Sequence, residues 1–270
     1  MRELIKREIM DIELEMLKVF SGLCDENNLY YTLSGGTLLG AIRHNGFIPW
    51  DDDIDVTMPR PDFERLQRMI QAGSLELPGH LRFISWFTDP RADIPFIKLI
   101  DTRTIVEEKY MANDTALWID IFAIDGCPDN EKKLKDQFRE SKLIRNILFK
   151  KQTRAGTGKS RVKSTLKDII RNSLKTIDGK WLCTRLDTIS SKYSFESSMT
   201  AACIMWGYGP QERVNKEKWI TPIEVEFEGC KFKAPSNYDE YLSNLYGDYM
   251  QLPEESKRIS HDMVVRLRTE

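Results

Sequence analysis

The stretch 46-GFIPWDDDIDVTMPRP-61 places Asp51, Asp52, Asp53 and Asp55 within five positions. Four carboxylates this close repel one another and raise each other's pKa. Acidic runs are ordinarily solvated loops. This one is bracketed by Phe47, Ile48, Pro49 and Trp50 before it and by Ile54, Val56 and Met58 after it. Solvated tails are not bounded by Trp and β-branched residues. The alternation predicts a strand through Asp53-Ile54-Asp55-Val56, with Ile54 and Val56 facing a core. Residues two apart on a strand share a face, so Asp53 and Asp55 project together. Two carboxylates in that arrangement suit a hard divalent cation, Mg²⁺ or Mn²⁺ in its place, which takes oxygen ligands and keeps phosphate company.

Two further features belong with this pair. Upstream, a short strand at Tyr30 to Leu33 runs into Ser34-Gly35-Gly36-Thr37 and then a helix beginning Leu38-Leu39. Glycines let a backbone approach a phosphate, and a helix N-terminus offers free N–H donors. Downstream, Leu117-Trp118-Ile119-Asp120-Ile121-Phe122 is apolar but for one acid. A buried unpaired carboxylate is costly, so Asp120 requires a cation: a metal, or an ion pair with Lys98 or Arg43. A glycine turn, an acid pair on one strand and a third acid on a later strand form the signature of a nucleotidyltransferase fold. The predicted class is α+β, a mixed sheet flanked by helices, with a helical subdomain.

The 270 residues are 41% hydrophobic and 30% charged, with a formal net charge of −2. That balance gives no global field for nucleic acid. Five scattered cysteines, without a CxxC pair, read as reduced thiols of a cytoplasmic protein. The opening MRELIKREIMDIELEML reads as part of a charged amphipathic helix over 2–27 rather than a signal peptide. Further helices are expected at 60–72, 130–151 and 238–246, with two more ending near 195. Strands are expected at 81–87, 95–100 and 104–109, and a hairpin at Glu228-Gly229. We expect one catalytic domain: a core of about 1–128 plus 200–270, and a helical, basic insertion over about 129–199. Lys150 to Lys175 holds nine Lys or Arg and a single acid, Asp168. It suggests peripheral contact with an anionic membrane face.

Three blocks, LSGGTLLGAIRHNGFIPWDDDIDVTMPR, LWIDIFAIDG and FKAPSNYDEYLSNLYGDYMQLPEESKR, resemble the LicD family. Its members include bacterial phosphocholine transferases of cell-surface glycans, and fukutin and fukutin-related protein are distant relatives. The resemblance implies transfer of a phospho-substituent from a CDP-activated donor to a sugar hydroxyl, with release of CMP. It points to CDP-choline, or a related CDP-alcohol carrying ethanolamine, glycerol or ribitol. The implied acceptor is a teichoic acid, lipopolysaccharide or capsule precursor, lipid-linked, at the inner face of the cell membrane. By position, Asp53, Asp55 and Asp120 would be the metal acids and catalytic residues, with Gly35, Gly36 and Thr37 on the donor phosphates. Arg43 and Lys98 are further candidate phosphate contacts. His44, Asp51, Asp52 and the basic set Lys257, Arg258 and His261 are weaker candidates. Trp50, Tyr246 and Tyr249 offer an aromatic wall for a quaternary ammonium. Transfer of the nucleotide half instead, or a scaffold role without catalysis, are the competing readings.

Overall fold

The sheet is built around the strand at Thr115–Gly126, which is apolar from Ala116 to Ile124 except at Asp120. The structure is a computed structural model that describes residues 1–89, 92–156, 161–258 and 263–268, with the side chains of 161–164 and 166 outside the description. In chain order the elements are β1 (Arg2–Glu3), α1 (Lys6–Glu26), β2 (Thr32–Leu33), α2 (Gly35–His44), β3 (Asp55–Pro59), α3 (Arg60–Ala72), β4 (Leu81–Ile84), β5 (Ile97–Glu108) and β6 (Thr115–Gly126). There follow α4 (Glu131–Gln152), α5 (Arg161–Leu174), α6 (Gly179–Ser190), β7 (Thr200–Ala202), β8 (Val214–Asn215), α7 (Lys216–Trp219), β9 (Pro222–Phe227), β10 (Cys230–Pro235), α8 (Tyr238–Tyr246) and β11 (Met263–Leu267). The expected α+β class is what forms. Among the described residues, nine strands make one mixed sheet whose main path runs β1-β11-β5-β6-β3-β2, and β9 and β10 pair separately.

Leu117, Ile119, Ile121 and Ala123 of β6 are fully buried. β5 lies antiparallel on one side of β6 and β3 parallel on the other. A strand covered on both faces reads as near-continuous hydrophobic sequence, as this one does. Helix α1 sends Leu14, Met16, Leu17, Phe20 and Leu23 into the main core. Its first turn is held by Glu8, whose carboxylate accepts the Ile5 N–H at 3.0 Å. α3 starts with Pro61 in its first turn and stops at Gly73, whose φ of +63° is the left-handed cap position.

Three expectations shift. Arg2–Glu3 is a strand paired with β11, so the first helix starts at Lys6. The predicted strands 95–100 and 104–109 are one strand, β5, with a register irregularity between Asp101 and Val106. The polar residues between them suggested a break. Instead the buried Asp101 carboxylate accepts the Arg103 backbone N–H at 2.9 Å and its guanidinium at 2.5 Å, so the strand bulges without leaving the sheet. Finally, the β3 ladder begins at Asp55, and Asp53 precedes it. The first link to β6 is the Asp120 N–H to the Ile54 carbonyl, at 2.9 Å, which leaves Asp53 beyond the end of pairing. The hairpin forms as expected, with Glu228 and Gly229 both at positive φ.

One buried ion network fixes β6 against α3 and α6. Arg60 donates from Nε to Asp125 Oδ1 at 2.6 Å and from Nη1 to Asp187 Oδ1 at 2.7 Å. The Asp125 side chain is fully buried. Burial pushes its carboxyl up and Arg60 draws it down. Removing one partner of such a pair leaves a buried charge uncompensated. Arg60→Met should cost about 3–5 kcal/mol in urea unfolding. Arg60→Met combined with Asp125→Leu should recover most of that. A loss below about 1 kcal/mol in the single variant would show that the network is not a structural link.

Candidate active site

Register places the site. In the parallel pair of β3 and β6, Asp55 stands opposite Asp120, and in the antiparallel pair of β6 and β5, Asp120 stands opposite Lys98. Directly opposed residues share a face with their Cβ atoms about 5 Å apart. Asp55, Asp120 and Lys98 therefore form one row across three strands. Lys98 Nζ lies 3.1 Å from Asp120 Oδ1, and the Trp118 indole N–H donates to Asp120 Oδ2 at 3.2 Å. The same ammonium sits 3.8 Å from the centroid of the Trp118 ring. Of the two partners the sequence allowed for Asp120, Lys98 is the one in contact.

The Ser34–Thr37 turn is stitched to this row through Asp55. Ser34 N–H donates to the Asp55 carbonyl at 3.1 Å, and Asp55 N–H donates to Thr37 Oγ1 at 2.8 Å. Thr37 is buried, and its hydroxyl serves the strand. Gly35 adopts φ +54°, and a Cβ there would lie 3.2 Å from Asp55 Oδ2. At Gly36 a Cβ would lie 2.5 Å from Asp51 Oδ2. Both glycines thus make room for carboxylates as the start of α2 meets the acidic run. The positive end of the helix dipole is placed where it offsets their charge.

Two cavities meet at the acids. One, of about 420 Å³, is lined by Asp53, Asp55, Asp120, Lys98, Tyr208 and Glu212 among others. The other, of about 610 Å³, is lined by Gly36, Arg43, Trp50, Asp51, Tyr246 and Lys257 together with Asp53, Asp55 and Tyr208. Asp53, Asp55 and Tyr208 border both.

The other candidate residues fall into place around these cavities. Arg43 Nη1 donates to the Tyr249 carbonyl at 2.7 Å, tying α2 to the segment after α8. His44 takes the Arg43 Nε–H on Nδ1 at 3.3 Å, and its imidazole is pushed toward neutrality by burial and then by Arg43. Trp50, Tyr246 and Tyr249 do line one cavity together. The Arg258 guanidinium stacks 4.8 Å over Trp50, and the Tyr249 hydroxyl donates to Asp239 at 2.7 Å. His261 lies outside the described residues. So does Lys159 of the basic stretch, while Lys151 is bridged to Asp93 at 3.1 Å.

Two acids escaped the sequence reading. Glu13 is 1% exposed on the apolar stripe of α1, between Ile9 and Leu17. Its place on that stripe was a readable signal. Glu212 is 2% exposed in a short 3₁₀ turn, Pro210–Glu212, where no periodicity exists to reveal it.

Burial holds the Asp55 carboxyl well above the usual carboxylate range, and the charges of Asp53, Asp120 and Asp51 add to this, while Lys98 opposes it. Glu13 is held high in the same way, first by burial and then by Asp53, Asp52 and Asp51. Among the described residues, no three His, Cys, Asp or Glu side chains enclose a metal ion unaided.

A mixed sheet carrying a glycine turn, an acid and a facing acid one strand away defines a nucleotidyltransferase-like domain. The family model described as "LicD/FKTN/FKRP, nucleotidyltransferase domain" matches residues 28–123, which include the turn and the whole row. The chain is 32% identical over 272 residues to the lipopolysaccharide cholinephosphotransferase LicD of Haemophilus influenzae, across 97% of each protein. It is 41% identical over 56 residues to an uncharacterised protein of Rickettsia prowazekii, across 21% of each, and 39% identical over 56 residues to one of Rickettsia typhi. The chain belongs to the LicD family of transferases and is an enzyme of that class.

The raised carboxyls give a pH signature. An acid whose folded pKa lies above its unfolded value binds protons preferentially in the folded state, so stability is lost as pH rises through that window. In EDTA the melting temperature should climb as pH falls from neutral toward the ordinary carboxylate range. Asp55→Asn and Glu13→Gln should each raise it at neutral pH and flatten the slope. A melting temperature that drops as the pH drops over this range would mean that burial and neighbouring charge do not hold these acids above their unfolded pKa.

Proposed function

We propose that this enzyme transfers phosphocholine from CDP-choline to a sugar hydroxyl of a cell-surface glycan precursor, releasing CMP. The observation that carries the reading is the pair Asp53 and Asp55 bordering two cavities at once, in a chain similar over nearly its full length to a lipopolysaccharide cholinephosphotransferase. A two-substrate transfer needs that arrangement, because nucleophile and leaving group approach phosphorus from opposite sides.

Asp53, Asp55 and Asp120 are suited to Mg²⁺. Their donors are all oxygen, and both the burial that chiefly holds the Asp55 carboxyl high and the neighbouring charges that add to it are offset by a cation. Mg²⁺ is typically held by one or two carboxylates plus substrate phosphates and water, so these acids would not need to form a complete cage by themselves. When bound, it neutralises charge developing on the transferred phosphoryl group. Gly35 and Gly36 bring the α2 N-terminus to the donor diphosphate. Arg43 and Lys257, on the cavity that Gly36 also lines, supply positive charge for the CMP half. Lys98 steadies Asp120. Thr37 holds Asp55 in place through its backbone. The acceptor hydroxyl enters through the other cavity. The whole chain acts as one catalytic domain, with the basic stretch Lys150 to Lys175 toward a lipid-linked acceptor.

The test is CMP release from a panel of CDP-alcohols with Mg²⁺, and choline carrying a label. CDP-choline should be the preferred donor, the choline label should appear on the glycan, and EDTA should stop turnover. Asp53→Asn, Asp55→Asn and Asp120→Asn should each lower the rate by roughly 10²–10⁴ while remaining folded. Label from the nucleotide rather than choline on the acceptor would replace this reading with nucleotidyl transfer. Wild-type turnover in Asp53→Asn and Asp55→Asn would remove these acids from the mechanism.

A further inference from the structure

We propose that Glu212 is the general base of this transfer, taking the proton of the acceptor hydroxyl as its oxygen attacks phosphorus. The inference rests on the phosphocholine-transfer reading and adds a catalytic residue to it. Glu212 lines the cavity that also holds Asp53, Asp55 and Asp120, but not the one that holds Arg43 and Lys257. With the leaving CMP on the Arg43 side, in-line attack brings the nucleophile from the Glu212 side.

The chain is shaped around this carboxylate. The Tyr208 N–H donates to Oε1. Residue 207 is glycine, and a Cβ there would run into the Cys203 carbonyl and lie 2.5 Å from Oε2, so the turn and the carboxylate both exclude a side chain. Among the described residues no Lys or Arg forms an ion pair with Glu212, unlike the buried Asp125 and the half-buried Asp120. A buried acid kept only for structure is normally paired. The titratable groups close enough to feel its charge include Arg145 from α4, Tyr241 and Tyr246 from α8, Cys127 at the end of β6, and Tyr208 and Cys203 from the preceding loop. Arg145 is engaged with the Gly207 carbonyl at 2.7 Å. Burial pushes the Glu212 carboxyl up to about 7, against the pull of the Tyr208 N–H and Arg145. A base is most effective when its pKa lies near the working pH. Of the other acids on the cavity, Asp53 and Asp55 are assigned to the cation, and Glu108, at the end of β5, is only half-buried, unlike Glu212. Asp93 is bridged to Lys151, and Asp120 to Lys98.

The step balances without a further reactant. The acceptor O–H bond breaks and its proton passes to Glu212. The oxygen forms the new O–P bond. The P–O bond to CMP breaks, and its electron pair leaves on the CMP phosphate. Glu212 returns the proton to solvent before the next turnover.

The experiment is the pH dependence of CMP release from CDP-choline by the full chain with Mg²⁺, with water as the nucleophile and then with small alcohols added. Wild-type kcat/KM should rise about tenfold per pH unit below about 7 and then level off. Glu212→Gln should lose roughly 10²–10⁴ in kcat, keep its donor KM within about twofold, and lose the acidic limb. Formate should restore part of the rate to Glu212→Ala. A variant that is slow yet keeps the limb, or that loses less than about fivefold, would overturn the assignment. If the variants do not fold, the wild-type profile decides: an inflection near 7 supports the base, and a flat profile overturns it. An active wild type matched by Glu212→Gln refutes this inference alone. A wild type that releases no CMP refutes the transfer reading and this inference with it.

Discussion

The pairing of Asp55 with Asp120 across β3 and β6 is the constraint on which the rest of the site depends. A sheet admits no half-measures in register: a slip of one residue sends a side chain to the opposite face. Here such a slip would bury a carboxylate in the apolar layer and bring Ile54 or Ile121 into the cavity. The apolar neighbours on both strands, fully buried on the other side of the pleat, hold the register where it is. Core packing thus does the positioning, and the acids take the positions that the core leaves them.

The row carries more negative charge than the fold tolerates without help, and several features offset it. Lys98 reaches across from β5 and is itself held against the Trp118 face. Helix α2 begins against Asp51 and Asp55, with glycines where any side chain would collide with them. Even so, Asp55 and Glu13 stay shifted toward the protonated form. Stability is withheld here in favour of gathering these acids at one cleft. Buried groups with perturbed pKa values are a common feature of functional sites.

The segments that complete the cleft come from the far end of the chain. Arg43 clamps the residues after α8, and the Gly35 N–H donates to the Tyr241 hydroxyl at 3.3 Å. The two cavities thus take walls from residues near 35–55, 205–212 and 241–257, joined at the acids. The cleft takes this form because these late elements fold back over the early strands.

Much of this was readable along the chain. The acids bracketed by apolar residues, the glycine turn between strand and helix, and the lone Asp120 in an apolar strand each carry a local signal of pattern and period. α3 and α8 fall where their spacing places them. What periodicity could not supply was anything that depends on a partner strand or a distant loop. The sequence allowed Asp120 either Lys98 or Arg43, and only the β5–β6 register selects Lys98. Asp53 seemed part of a strand, and only the position of the first β6 hydrogen bond shows that the ladder begins after it. Thr37 suited a phosphate by its place in the turn, and the fold turns its hydroxyl to Asp55. Glu212 sits in a turn with no period, so nothing local marks it. Its burial, and its place on the wall across from the acids, arise from the packing of its turn against α4 and α8. The sequence alone determined which residue types would gather, because burial of apolar neighbours is encoded locally. Tertiary structure alone decided which of them touch, because contact across a sheet or a cleft depends on register and closure between segments far apart in the chain.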